Sequence, residues 1–376
     1  MQLELYIHIP FCVKKCAYCD FLSFRGGREQ QRVYVEALLK EIQARSTQEN
    51  LKGKQVVSIF FGGGTPSVLP AGWIREILDC VRQCFSLAQD VEISLESNPG
   101  TLDREKLSVY RAAGINRLSL GCQSTEDQEL QMLGRIHTWQ QFLESYSLAR
   151  EAGFSNINVD LMSGLPGQSA ASWEQSLRRV AELQPEHISA YSLILEEGTP
   201  LYEQQEQYAF PEEEEERLMY ESTWRILENY GYQQYEISNY SLPGRECRHN
   251  LGYWTGTEYL GLGLGAASLL ENRRFSNTGD RERYVSLCET PGMLEEQQEL
   301  LTEEDRMGEF MILGLRLNRG VSSREFQEKF GRSLQEQYGA VIEKYEKWNL
   351  LVREGEYLHL TREGISVSNQ VMAEFL

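Results

Sequence analysis

The sequence predicts an α/β protein, an open, partial (β/α)6 barrel followed by a C-terminal winged-helix-like domain. Three observations carry this reading. Short apolar strands alternate with helical stretches over the first two hundred residues. Glycines stand where helices end, and polar or glycine-bearing residues gather just after the strands. Alternating β and α elements bury their faces best as a parallel sheet with helices outside it. Six such units suit a partial barrel better than a complete eight-stranded one.

The first candidate strand is Leu3–Ile9, an apolar run ending at Pro10. A helical pattern over Gln31–Gln43 leads to the second strand, Val56–Phe61, and then to the helix Gly72–Cys84. The third strand, Val91–Glu96, is followed by the helix Arg104–Ala113, which Gly114 ends. Arg117–Gly121 is the fourth strand, and its helix Trp139–Ala152 stops at Gly153. The fifth unit pairs Asn156–Met162 with Ser172–Leu183, and His187–Leu195 is the sixth strand. We divide the chain into a barrel over residues 1–200, an aromatic-rich extension over 201–300 and a C-terminal domain over 301–376.

In the extension, tyrosines and tryptophans crowd from Tyr202 to Tyr259. A core or an interface accounts for most such sets, and a flat aromatic ligand would also be served. The acidic run Glu212–Glu216 follows Pro211 and reads as a helix start, where negative charge suits the positive end of the helix dipole. The last segment, from about Arg319, reads as helix, helix, two short strands around Val352–Leu360 and a final helix. Winged-helix modules often bind DNA, yet residues 319–376 hold 8 Lys and Arg against 9 Asp and Glu, so the basic footprint is missing. We read the module as a packing or partner-docking domain.

The chain has 376 residues, 41% hydrophobic and 25% charged, the proportions of a soluble globular protein. A net charge of −19 argues against nucleic acid as a partner. No apolar run reaches the roughly 20 residues of a spanning helix, and no signal peptide precedes the first strand, so a cytoplasmic location is expected. Peripheral membrane contact and a homodimer remain compatible with this composition. Eight cysteines in a chain of this size do not form a secreted disulfide framework. Cys80, Cys84, Cys122, Cys247 and Cys288 read as structural; only Cys12, Cys16 and Cys19 are close enough in sequence to signal a metal.

That triplet has the spacing C-x3-C-x2-C. A zinc site is usually closed by a fourth protein ligand, and none lies nearby. A [4Fe–4S] cluster on three thiolates leaves one iron free for an exchangeable ligand. The other candidate motifs follow later strands and fall on the same face of a parallel barrel: Gly62-Gly63-Gly64-Thr65-Pro66, Glu96-Ser97-Asn98, Gln123-Ser124, and Asp160 with Gly164-Leu165-Pro166-Gly167. The open iron could chelate the amino and carboxylate groups of a methionine moiety. The glycines permit close backbone approach, and Glu96 or Asp160 could bind ribose hydroxyls or an ammonium group. Together these parts describe S-adenosylmethionine at an iron–sulfur cluster, with the cofactor carrying the hard chemistry.

The run Tyr6-Ile7-His8-Ile9-Pro10-Phe11-Cys12-Val13-Lys14-Lys15-Cys16-Ala17-Tyr18-Cys19 resembles the signature of the radical S-adenosylmethionine superfamily. More narrowly, the chain is similar to the oxygen-independent coproporphyrinogen III oxidase branch, through the glycine loop, Glu96, Gln123, Arg135, Asp160 and the C-terminal module. The resemblance implies that Tyr6, Gly63 and Glu96 contact the S-adenosylmethionine on the cluster, with Tyr18, Gly64 and Thr65 close by. It also implies an outer site for a second S-adenosylmethionine at Gln123, Arg135, Asp160 and Ile194.

Two functional classes share this branch: the decarboxylating oxidase and the heme chaperone, which binds heme and passes it to acceptor proteins. The oxidase pattern continues C-x3-C-x2-C-x-C after a substantial N-terminal segment; here Phe21 holds the fourth cysteine's place and Cys12 lies near the start. The run His249-Asn250-Leu251-Gly252-Tyr253-Trp254 resembles the HNxxYW motif of the heme chaperones. Histidine is a common axial ligand of heme iron, and flanking aromatics can stack on a porphyrin, so His249 is the expected heme ligand. The expected function is heme transfer to acceptors, gated by cluster and cofactor. The alternatives are coproporphyrinogen III oxidation or another radical reaction on a tetrapyrrole.

Overall fold

The computed structural model describes residues Met1–Leu376. Six parallel strands lie side by side in chain order: β1 (Gln2–Ile9), β2 (Gln55–Gly63), β3 (Ser86–Ser97), β4 (Arg117–Gln123), β5 (Ile157–Ser163) and β6 (His187–Ser192). The helices Arg28–Ser46, Ala71–Cys84, Arg104–Ala112, Trp139–Glu151 and Ala170–Ala181 connect them. This is the expected parallel α/β arrangement, with several boundaries shifted by a few residues. β3 begins at Ser86 rather than Val91, because Ser86 and Leu87 pair with Gln55 and Val56 before a register shift. β6 stops at Ser192 rather than Leu195; the Leu193 amide still bonds Ser163 (2.8 Å) before the chain turns away.

The sheet does not end with six strands. β7 (Gln233–Glu236) and β8 (Asn239–Ser241) extend it antiparallel beyond β6. On the opposite edge β9 (Tyr259–Leu262) runs parallel to β1, and β10 (Ala267–Leu270), β11 (Arg273–Asn277) and β12 (Glu295–Leu300) continue antiparallel. Residues 201–300 therefore flank both sides of the barrel in one sheet of twelve strands, and their Tyr232, Tyr240, Tyr284 and Leu294 enter the barrel's own core. As the acidic run suggested, a helix begins at Glu213, with four glutamates in its first turn.

Strand alternation divides the barrel into two media. On β1, Leu3, Leu5, Ile7 and Ile9 are fully buried in the apolar core, whereas the alternate residues Glu4, Tyr6 and His8 engage groups inside the barrel. Inside, Asp160 accepts hydrogen bonds from Ser119 (3.1 Å) and Asn158 (2.7 Å), and Asn158 Oδ1 meets His187 Nδ1 (2.6 Å) and Ser189 Oγ (3.1 Å). A polar lumen thus runs the length of an apolar shell. Its lower end is covered by the helix Arg248–Thr255: the His249 amide bonds Glu92 at 3.4 Å, and Arg117 of β4 lies 3.8 Å from the same carboxyl group.

The C-terminal domain has a separate core from Met307 to Phe375. It comprises the helices Glu303–Gly314, Ser323–Phe330 and Leu334–Lys347, the short strand β13 (Val321–Ser322), the hairpin β14 (Leu351–Glu354) and β15 (Tyr357–Leu360), and the terminal helices Arg362–Ser366 and Ser368–Ala373. β15 lies between β13 and β14, the wing that the sequence predicts. Backbone bonds from Ile237 to Arg316 (3.2 Å) and from Asn318 to Tyr235 (3.0 Å) fasten this domain to β7 and its turn.

One contact at the barrel floor can be tested by size alone. A Cβ at Gly252 would overlap the Glu4 carboxyl group, whereas a Cβ at Gly72, within the helix Ala71–Cys84, would meet nothing within 4 Å. Gly252→Ala should lower the stability of the cofactor-free chain by about 1–3 kcal/mol, the usual cost of overpacking. Gly72→Ala should be neutral or raise it by about 0.5–1 kcal/mol through helix propensity. Urea unfolding of the two variants beside the parent checks both signs.

Candidate functional site

The upper end of the lumen is set by the way β1 passes the end of β2. A Cβ on Gly64 would stand 2.8 Å from the Ile9 carbonyl and from Phe11 backbone atoms, and one on Gly62 would meet Phe60, Tyr6 and Glu96 at 3.0–3.2 Å. Gly63 has φ +103° and faces the His8 imidazole with no space for a side chain. The Gly64 and Thr65 amides donate to Ile9 (2.9 Å) and Phe11 (2.8 Å). The expectation that these glycines admit a ligand is thus only part of their role: they first admit β1. This contact brings Thr65 Oγ1 to 3.6 Å from the Cys12 sulfur.

Above the junction lies a cavity of about 380 Å³. Of the site residues expected from sequence, Cys12, Cys16, Tyr18, Cys19, Gly63, Gly64, Thr65, Glu96, Gln123, Arg135, Asp160 and Ile194 all line it. Tyr6 sits beneath them and shares a 3.1 Å hydrogen bond with His8 Nδ1; His8 Nε2 is 2.9 Å from the Leu22 carbonyl, so Nε2 carries the proton and Nδ1 accepts. Phe21 and Ile194 stand at the rim, 63% and 69% exposed.

Arg135 is held within this wall. Its guanidinium donates to Asn98 Oδ1 (2.6 Å) and the Gly121 carbonyl (2.7 Å), and lies 3.6 Å from the Cys16 sulfur. Gln123 occupies the left-handed region at φ +70° and accepts a 2.9 Å hydrogen bond from Tyr191. For a residue other than glycine this conformation costs about 1–3 kcal/mol, and it places the Gln123 side chain in the cavity wall.

Two carboxyl groups share the space. Burial pushes Glu96 up to about 8, with the negative charge of Asp160 adding to the shift. Burial also raises Asp160, against the hydrogen bonds of Asn158 and Ser119. A cationic group between them would relieve both effects, as the ammonium and sulfonium of S-adenosylmethionine would.

The cysteine loop suits an iron–sulfur cluster. All three thiols are free and partly exposed at the cavity, with one cationic donor beside Cys16. Burial pushes the Cys19 thiol up to about 11, so iron coordination would have to displace its proton. A cubane takes one thiolate per iron and needs the sulfurs apart. No group of three or more His, Cys, Asp or Glu side chains in this structure is gathered tightly enough to hold a single metal ion.

His249 lies elsewhere, at the lower end of the lumen and 1% exposed. Its Nδ1 is 2.8 Å from Ser58 Oγ and its Nε2 is 3.1 Å from the Tyr253 hydroxyl. Both ring nitrogens are engaged within the fold. Glu4 lies 3.7 Å from the imidazole, but the two are not an ion pair at neutral pH. Burial holds His249 down to about 3 and Glu4 up to about 8, leaving both uncharged. His249 stacks on Phe60 at 5.1 Å, Phe60 on Tyr6 at 6.4 Å, and Tyr253 stands edge-on to His249 at 5.0 Å. A column of rings therefore links the motif helix to the cavity floor. Sequence reasoning missed Asn158 and Tyr191, although polar residues in the strands were available as a signal.

Residues 6–180 match the model of the radical SAM superfamily, and residues 301–367 match that of the HemN C-terminal domain. The chain is 37% identical to the heme chaperone HemW of Bacillus subtilis, over 99% of this chain and 98% of that one. It is 35% identical to the heme chaperone HemW of Lactococcus lactis, over 99% and 96%. Among solved structures, coproporphyrinogen III oxidase (HemN) from Escherichia coli superposes with a TM-score of 0.86 at 25% identity, covering 99% of this chain and 89% of that chain.

The raised carboxyl groups give a pH signature. Below about pH 4.5 Glu96 is protonated whether the chain is folded or not. Between there and pH 8 the unfolded form loses a proton that the folded form keeps, so this group makes stability fall as pH rises. Thermal melts of the cofactor-free protein should show a smaller fall across that window in Glu96→Gln than in the parent. An identical slope would mean that Glu96 ionises freely in the fold.

Proposed function

We propose that this chain, which belongs to the radical S-adenosylmethionine superfamily and within it to the heme chaperone HemW family, binds heme and hands it to acceptor proteins. The superfamily's cofactors are a [4Fe–4S] cluster and S-adenosylmethionine, which when bound supply one-electron chemistry. Cys12, Cys16 and Cys19 would hold the cluster. Arg135 would donate to the Cys16 sulfur, Glu96 and Asp160 would receive ammonium or ribose groups, and Tyr6 would support the floor beneath Gly62. Tyr18, Gly63, Gly64 and Thr65 would frame the inner cofactor, with Gln123 and Ile194 further out.

The observation that carries the chaperone reading over decarboxylation is Phe21. At the place of the oxidase pattern's fourth cysteine stands an exposed ring at the cavity rim, its carbonyl held by Lys15 Nζ at 2.9 Å. A phenyl ring offers no thiol for redox work. The oxidase reading is favoured by one feature, the convergence of Gln123, Arg135 and Asp160 on the cavity that contains the cysteine triplet. In our reading this convergence serves cofactor binding that gates heme transfer. His249 is a positioning residue of the barrel floor, and heme contact falls to Tyr253 and Trp254 of the same motif. No helix is long and apolar enough to cross a membrane.

Two measurements on the anaerobically reconstituted protein test this function. It should bind heme, and it should not convert coproporphyrinogen III to protoporphyrinogen IX when supplied with S-adenosylmethionine and reductant; useful turnover would overturn the reading. His249→Ala should keep the absorption spectrum of bound heme while losing about 1–3 kcal/mol of stability through the unpaired groups it leaves. A changed Soret band at unchanged stability would restore His249 as the iron ligand.

A further inference from the structure

A second cavity, of about 330 Å³, opens at the far side of the motif helix, between its C-terminal end, the β9–β10 edge and the C-terminal domain. Tyr253, Trp254 and Phe310 supply rings to its wall, and Arg306, Arg319 and Lys329 supply charge. The Trp254 indole N–H and the Arg306 Nε are buried without a hydrogen-bond partner. The guanidinium of Arg306 reaches only Asn272, at 3.4 Å, and none of the three cations is within ion-pair distance of a carboxylate. Of the acidic residues in the wall, Glu309 is engaged by Arg274 at 2.6 Å and Glu258 by Lys54, and Glu325 is exposed. Burial and the neighbouring Arg306 push Lys329 down, against the pull of Glu309 and Glu325. In a chain of net charge −19, a cleft lined by four cations and three glutamates, with Arg306, Arg319 and Lys329 in no ion pair, has positive charge left for an anionic ligand. Rings beside them call for one that is also flat and apolar.

We infer that this cleft receives the acid edge of heme, its propionates at Arg306, Arg319 and Lys329 and its macrocycle against Tyr253 and Trp254. The inference rests on the heme reading above and gives that reading a location. A cleft of this kind, open on one side, covers part of a tetrapyrrole and leaves the opposite edge within reach of an acceptor. Heme then sits at the end of the barrel away from the cysteine triplet. The ring column from Tyr253 through His249 and Phe60 to Tyr6 lies between the two sites.

The test compares hemin with hemin dimethyl ester, whose propionates carry no charge, on the full-length reconstituted protein and on the double variant Arg306→Gln, Lys329→Met. Binding is followed by the Soret shift, and cluster absorbance with a circular-dichroism melt verifies the fold. The parent should bind hemin at least about tenfold more tightly than the ester, the effect of roughly one charge-assisted hydrogen bond. The double variant should lose about tenfold in hemin affinity and discriminate less between the two ligands. Parental affinity and discrimination in the folded double variant would overturn the cleft assignment and leave the chaperone reading standing. No hemin binding by the parent would overturn both. The ester comparison on the parent needs no variant, and equal affinities there would also overturn the assignment.

Discussion

The passage of β1 across the end of β2 is the contact on which the upper site depends. Three successive glycines of β2 and its turn fit there: Ile9 and Phe11 backbone fills the space at Gly64, the His8 ring fills it at Gly63, and Phe60, Tyr6 and Glu96 leave little of it at Gly62. A Cβ at Gly64 would push the end of β1 outward and carry the cysteine loop with it. Because the strands close so tightly, Cys12 comes beside Thr65, Asn98 bridges Thr65 to Arg135, and Arg135 reaches Cys16. One backbone contact thereby fixes the triplet against the carboxyl wall.

Below that contact the lumen is polar but nearly free of charge pairs. Glu4 and Glu96 are held as acids and His249 as a neutral base, each by burial, so the rings between them pack without charge. The barrel interior thus lies between two cavities. The upper cavity sets carboxyl groups and thiols beside Arg135, and the lower one sets Arg306, Arg319 and Lys329 beside rings and three glutamates. The motif helix faces both, with His249 turned into the lumen and Tyr253 and Trp254 turned to the lower cleft.

The parallel strands, their helices and the wing were legible in sequence because long apolar periods and helix-ending glycines mark them locally. β12 was not: Glu295–Leu300 reads Glu-Glu-Gln-Gln-Glu-Leu, and it is a strand because β11 offers it an edge. The upper cavity was legible because its residues follow strands, where parallel barrels place them. Arg135 could be read as a surface helix residue, and only partners distant in sequence, Cys16 and Asn98, reveal its place. The surroundings of His249 are hidden from the sequence in the same way. Its burial comes from Ser58 and Glu4, far away in the chain, and no local pattern separates a histidine that ligates from one that fills a barrel floor. The lower cleft brings the β9–β10 edge and the C-terminal domain together, so it exists only in the folded chain.

In our proposal cofactor and heme occupy opposite ends of one barrel. The most direct measurement is a heme titration of the chain already loaded with cluster and radiolabelled S-adenosylmethionine, followed by equilibrium dialysis. Heme should bind to saturation while the labelled cofactor stays bound. Release of S-adenosylmethionine in proportion to the heme taken up would contradict it, because heme would then occupy the upper cavity.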